Sequence, residues 1–163
     1  MHIRSAHADD AKAIAAIYNP YILNTTISFE EEPVTDAAMV QRIAEVQAGG
    51  LPWLVAERDG KVLGYAYATK WRVRHAYRFS VESSVYLAPE AARQGVGSAL
   101  YTALLAQLAE RGCHLVIGGI ALPNDASVAL HEKMGYEKVA HFREVGFKFG
   151  RWLDVGYWQR TLA

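Results

Sequence analysis

The chain has 163 residues, 52% hydrophobic and 11% aromatic, which is the size and apolar content of one domain with a continuous core. Lys plus Arg and Asp plus Glu both total 17, so no overall field draws the protein to nucleic acid or to an anionic membrane. A lone Cys113 rules out an internal disulfide framework, Met1-His2-Ile3-Arg4-Ser5 lacks a basic-then-apolar leader, and polar residues interrupt every apolar run, so a soluble cytoplasmic single domain spanning 1–163 is expected.

Behind the acidic start at Asp9 and Asp10, Ile14, Ile17, Tyr18, Tyr21 and Ile22 recur at helical spacing to about Leu23, with Pro20 expected to disturb the last turn. Thr35-Asp36 is a plausible cap for a second helix carrying Met39, Val40, Ile43 and Val46 and stopped by Gly49-Gly50. Trp53–Ala56 and Val62–Tyr67 flank Arg58-Asp59-Gly60-Lys61, a hairpin signal. Phe79–Leu87 reads as a long strand ended before Pro89, and Gly95 to about Arg111 as a helix with Val96, Leu100, Leu104, Leu105 and Leu108 on one face. Leu115–Ile117 predicts a short buried strand, and Asn124 or Asp125 opens a helix ending at Gly135. Val139–Phe149 and Trp152–Leu162, split by Gly150-Arg151, predict a closing antiparallel pair. The order β-α-α-β-β-β-α-β-α-β-β fits an α/β fold with a mixed sheet flanked by helices better than a doubly wound parallel one.

Strand, glycine-containing turn and helix succeed one another in Val85-Tyr86-Leu87-Ala88-Pro89-Glu90-Ala91-Ala92-Arg93-Gln94-Gly95-Val96-Gly97-Ser98. Such a turn presents free backbone N–H groups at the positive end of a helix dipole, where a pyrophosphate can sit without a metal, and Arg93 can add a charged contact. A Walker loop would need Lys where Ser98 stands, and a dinucleotide fingerprint would need Gly or Ala where Leu100 stands. Six histidines and one cysteine show no paired metal spacing, so no metal is expected.

This segment resembles the pyrophosphate motif Gln/Arg-x-x-Gly-x-Gly/Ala of the GNAT acetyltransferases, with Ala92 at its first position and Arg93 one place later. Ile17-Tyr18-Asn19, Thr25-Thr26 with Phe29, Val81–Tyr86, Leu130-His131-Glu132-Lys133-Met134-Gly135-Tyr136 and the tail Gly146–Trp158 narrow the resemblance to the phosphinothricin and methionine sulfoximine acetyltransferase branch. The resemblance implies a sheet splayed at an acetyl-CoA site, and direct attack of a small-molecule amine on the thioester without an acyl-enzyme. It also implies a homodimer. Other amines (a protein N-terminus, a polyamine, an aminoglycoside) and a non-catalytic acyl-CoA-binding module are the alternatives.

On that resemblance the cofactor side comprises the backbone of Val85, Tyr86 and Leu87, the cradle Arg93, Gln94, Gly95, Val96, Gly97 and Ser98, and Asn124, Ser127 and Lys133. Asn124 equally suits a helix cap, and Lys133 an exposed helix lysine. Glu82 is the candidate base or amine anchor, because an ammonium must lose a proton before it can attack. His131 stands where many relatives carry an acidic tyrosine, and it could donate a proton, hold the cofactor, or simply be a buried structural histidine. Lys70–Arg78 holds four cations and two aromatic residues, and Arg72, Val73 and Arg74 are the substrate-loop candidates, joined by Phe29, Ser83, Ser84 and Lys148.

Overall fold

The structure, a computed structural model, describes residues 1–162. Seven strands form one sheet: β1 (His2–Ser5), β2 (Trp53–Arg58), β3 (Lys61–Lys70), β4 (Ser80–Leu87), β5 (Leu115–Leu122), β6 (Glu137–Lys148) and β7 (Arg151–Thr161). Their spatial order is β1-β2-β3-β4-β5-β7-β6, with β4–β5 the parallel pair among antiparallel neighbours. The mixed sheet expected from the order of elements is therefore present. At the β2–β3 turn Asp59 and Gly60 both take positive φ, as a primed two-residue hairpin loop requires.

Four helices cover the two faces: α1 (Ala11–Asn24), α2 (Asp36–Ala48), α3 (Val96–Glu110) and α4 (Asp125–Lys133). One core packs Ile14, Ile17 and Ile22 of α1 and Met39 and Ile43 of α2 on Trp53, Val55 and Tyr65. The other packs Val96, Leu100, Leu104 and Leu108 of α3 on Leu54, Ala66, Val81, Val116 and Ile120. Each such side chain removed from water is worth roughly 1.5–3 kcal/mol, which outweighs local propensity when the two conflict.

Pro20 illustrates this. It was expected to disturb the end of the first helix, yet α1 runs on to Asn24, because Pro20 and Ala16, whose carbonyl loses its partner, both face solvent. Two boundaries also differ. The helix expected from Gly95 begins at Val96, with Gly95 as its left-handed cap at φ 75°, and β5 continues five residues past Ile117, through Gly118-Gly119, to Leu122. At the other end of the chain, Arg4 ties β1 to the first turn and to β2 through Asp10 at 2.8 Å and Glu57 at 2.6 Å.

Candidate active site

The parallel pairing of β4 with β5 covers Ser80–Glu82 against Leu115–Ile117 and then stops, although both strands continue. β5 stays bound to β7 along its whole length and β4 to β3, so the two central strands part after Glu82. The β5-facing backbone groups of Ser83–Leu87 are left without a strand partner in this wedge. On the α1 side the wedge opens into a cleft of about 480 Å³ bordered by Glu82, Ser84, Tyr86, Phe29 and Tyr157. On the α3 and α4 side a narrower opening of about 50 Å³ is bordered by Ser83, Val85, Tyr101, Asn124 and His131. Ser84, Tyr86, Gly119 and Ala121 border both, so one gap connects the two faces of the sheet.

Glu82 sits at the point of divergence. Burial raises its pKa above the usual carboxylate value, and the nearby positive charge of Arg72 opposes that rise. Room for the carboxylate comes from Gly119, where an added β-carbon would lie 3.4 Å from Glu82 Oε2 and 3.0 Å from the Tyr157 ring.

On the opposite face His131 is 4% exposed. Its Nδ1 lies 2.7 Å from the Ser127 carbonyl oxygen and its Nε2 3.1 Å from the Tyr101 hydroxyl. A carbonyl can only accept, so Nδ1 carries the proton and Nε2 is an acceptor, sharing the one hydroxyl proton of Tyr101 with Ser83 Oγ. Burial lowers the histidine pKa, and the bond to the Ser127 backbone only partly offsets this, so the ring is neutral at neutral pH. The chain of hydroxyls continues from Tyr101 to Ser83 at 3.2 Å and from Ser83 to Tyr136 at 2.9 Å.

The candidate anion cradle lies at the α3 N-terminus. Arg93 and Gly95 both have positive φ, and the first helical N–H groups, of Val96, Gly97 and Ser98, have no partner within the helix. The two glycines do different work. A β-carbon on Gly95 would meet nothing within 4 Å, so Gly95 serves the left-handed turn, whereas one on Gly97 would lie 3.1 Å from Leu130 Cδ2, so Gly97 serves the packing of α3 on α4. Gln94 braces the loop by accepting from Arg58 at 2.8 Å and donating to the Glu90 carbonyl at 2.6 Å. Asn124 caps α4, accepting from the Ser127 N–H at 3.2 Å while bordering the opening, and Lys133 is exposed at the far end of that helix.

Among the expected amine-side residues, Glu82, Ser84 and Phe29 come together in one cleft. Arg72 borders an adjoining cavity that shares Tyr157 with it. Val73 is 95% exposed and Arg74 precedes the short turn His75–Tyr77, so neither borders the cleft in this chain. Ser83 faces the α3 side because side chains alternate along β4, and it belongs to the buried hydroxyl chain rather than to the amine side. Lys148 is buried, with Nζ donating to the Ser28 carbonyl at 2.6 Å, and it acts as a strut for the Phe29 segment. Sequence reasoning missed Tyr101, Tyr157, Gly118 and Gly119, although paired glycines inside an apolar run are a sign of close approach by another group.

The sequence profile of the acetyltransferase (GNAT) domain matches residues 3–156, and the chain belongs to that family. It is 47% identical over 161 residues to phosphinothricin N-acetyltransferase of Alcaligenes faecalis, covering 98% of this chain and 82% of that protein. To the L-methionine sulfoximine/L-methionine sulfone acetyltransferase of Salmonella typhimurium it is 36% identical over 162 residues, covering 99% and 95%. The solved structure of a GNAT superfamily phosphinothricin acetyltransferase from Sinorhizobium meliloti in complex with AcCoA superposes with a TM-score of 0.96 at 40% identity, covering 99% of this chain and 88% of that one.

Proposed function

We propose that this protein is an acetyl-CoA-dependent N-acetyltransferase acting on the primary amine of a small amino-acid-like molecule of the methionine sulfoximine, methionine sulfone or phosphinothricin type. The observation that carries the reading is the position of Glu82, a half-buried carboxylate with a raised pKa at the point where β4 and β5 diverge.

The residues present suit a CoA thioester. Val96, Gly97 and Ser98 would receive its pyrophosphate, with Arg93 beside them, and the unpaired edge of Val85-Tyr86-Leu87 would take its extended arm. Bound there, acetyl-CoA supplies an activated acetyl group. Glu82 accepts the proton of the substrate ammonium, which its raised pKa equips it to do at neutral pH. Arg72 pairs with a substrate carboxylate or phosphinate, and Phe29 and Tyr157 border the space for the substrate body. Neutral His131 and the Tyr101 hydroxyl border the narrow opening on the α3 and α4 side, where they would be available to the thiolate released from acetyl-CoA.

The same reading places the enzyme in the cytoplasm as one domain that forms a homodimer. Phe142, Phe147 and Trp152 stand 51%, 57% and 63% exposed on the β6–β7 hairpin, whose outer strand β6 is the edge of the sheet. Sedimentation should find a dimer at micromolar concentration. The function is tested by thiol release from acetyl-CoA across methionine sulfoximine, methionine sulfone, phosphinothricin, polyamines and peptides. Turnover confined to the amino-acid-like amines supports the assignment, and a preference for polyamines or peptides would overturn it.

A further inference from the structure

A second cavity, of about 490 Å³, opens between α2 and the sheet on the same face as the amine cleft. Arg42, Glu45 and Val46 of α2, Trp53 of β2, and Tyr67 and Lys70 of β3 are among its walls. It shares a single bordering residue, Tyr18, with the amine cleft. We propose that this cavity is a second ligand site, for a small carboxylate with an apolar or aromatic body, and that its occupancy reaches the amine cleft through Arg42, Glu30 and Tyr18.

The chemistry of the walls selects such a ligand. Trp53 is 2% exposed, and its indole Nε1 is the one buried side-chain polar atom without a hydrogen-bond partner among the described residues. Trp53 stacks on Tyr65 and Tyr67 within the cavity wall, so a ligand seated against that wall changes the surroundings of its N–H. Arg42 and Lys70 place two cations on the cavity, and Lys70 is in no ion pair among the described residues. Met39, Val46 and Leu51 provide the apolar wall. Glu45 adds one carboxylate, the complement of an ammonium. A free amino acid and an N-acylated amino acid share the carboxylate and apolar body, and they differ at that ammonium.

The coupling follows from how Arg42 is held. Its Nη1 and Nη2 donate to both oxygens of Glu30, at 2.9 and 2.6 Å, and the Tyr18 hydroxyl donates to the same carboxylate. Glu30 in turn borders the amine cleft, next to Phe29. A ligand carboxylate on Arg42 competes with Glu30 for the guanidinium fork, loosens the Phe29–Glu30 wall, and weakens amine binding. This second half rests on the acetyltransferase reading, whereas binding in the cavity does not.

The test uses the full chain with CoA bound and its indole nitrogens labelled with ¹⁵N, titrated with L-phenylalanine and with N-acetyl-L-phenylalanine. The Trp53 N–H resonance, assigned with Trp53→Phe, should shift saturably at millimolar concentration. A response to both compounds identifies the carboxylate and body as the recognised chemistry, and a response to the free amino acid alone assigns the ammonium to Glu45. Val46→Phe, which fills the cavity, and Arg42→Gln, which keeps its shape, should each abolish or weaken the response. A stationary Trp53 resonance with both ligands, or a shift unaltered in folded Val46→Phe and Arg42→Gln, would overturn the site. In turnover assays N-acetyl-L-phenylalanine should raise the amine KM roughly five-fold or more, and this effect should vanish in Val46→Phe. A Trp53 shift with no change in KM would overturn the coupling. Absence of any thiol release would instead count against the acetyltransferase reading and leave the Trp53 result standing.

Discussion

A β-carbon on Gly118 would stand 2.7 Å from Nε2 of His131, so the glycine in β5 and the histidine in α4 occupy complementary space. His131 is pinned on its other side by the Ser127 carbonyl and cannot retreat without giving up that bond. Gly118 does not have positive φ, so alanine is conformationally permitted there and the steric effect is isolated. Gly118→Ala should cost roughly 1–3 kcal/mol in urea unfolding and lower kcat, as expected of overpacking against an oriented polar group. Wild-type stability together with wild-type kcat would show that the His131 position is not constrained.

At the α3 N-terminus the two glycines should respond differently. Gly95→Ala places a side chain at φ 75°, costs about 1 kcal/mol, and should raise the acetyl-CoA KM by disturbing the turn that orients the helix N–H groups. Gly97→Ala meets the flexible end of Leu130 at 3.1 Å, so it should mainly shift stability and leave that KM near wild type. Thermal unfolding and acetyl-CoA kinetics on the two variants check both statements.

Much of this arrangement is legible in the chain and some of it is not, for reasons that individual residues make plain. Helical spacing of apolar residues and the Asp59-Gly60 turn announce the elements that frame the site, because burial and turn geometry act locally. Gly118-Gly119 lies beyond the Leu115–Ile117 strand predicted from the sequence, yet β5 runs through both, and each glycine makes room for a side chain distant in sequence, His131 or Glu82. Ser83 neighbours Glu82 in sequence, but strand alternation turns it to the other face. Lys148 has the charge of a substrate ligand, yet its use as a strut for Ser28 depends on a contact 120 residues away. The Asn124 cap, by contrast, is a local pattern and was readable as such.

Asp10 provides a stability prediction independent of catalysis. Its pKa is lowered, chiefly by the hydrogen bonds from Arg4, so the native state favours the ionised form. The stabilisation is present above the ordinary carboxylate pKa and is lost as pH falls through the lower folded value. Asp10→Asn should therefore destabilise by about 1.5–3 kcal/mol at neutral pH, with the difference from wild type shrinking in acid. Urea unfolding at neutral and acidic pH checks it.

Arg72 should act on both substrate and base. Arg72→Ala removes a charge that lowers the pKa of Glu82, so the acid limb of kcat/KM should move to higher pH. The same variant should raise KM for a carboxylate-bearing amine more than for acetyl-CoA. A profile superimposable on that of the wild type would separate Arg72 from Glu82.

The most direct test of the account is the pH dependence of turnover in Glu82→Gln, which keeps the shape of the side chain and removes the proton acceptor. Because burial raises the folded pKa of Glu82, its ionisation costs stability as pH rises through that window, and the variant should be at least as stable as wild type at neutral pH. Turnover at neutral pH should fall roughly 10²-fold or more and recover in part at high pH, where more of the amine is already unprotonated. A folded Glu82→Gln enzyme that turns over at the wild-type rate at neutral pH would contradict the assignment of Glu82 as the base.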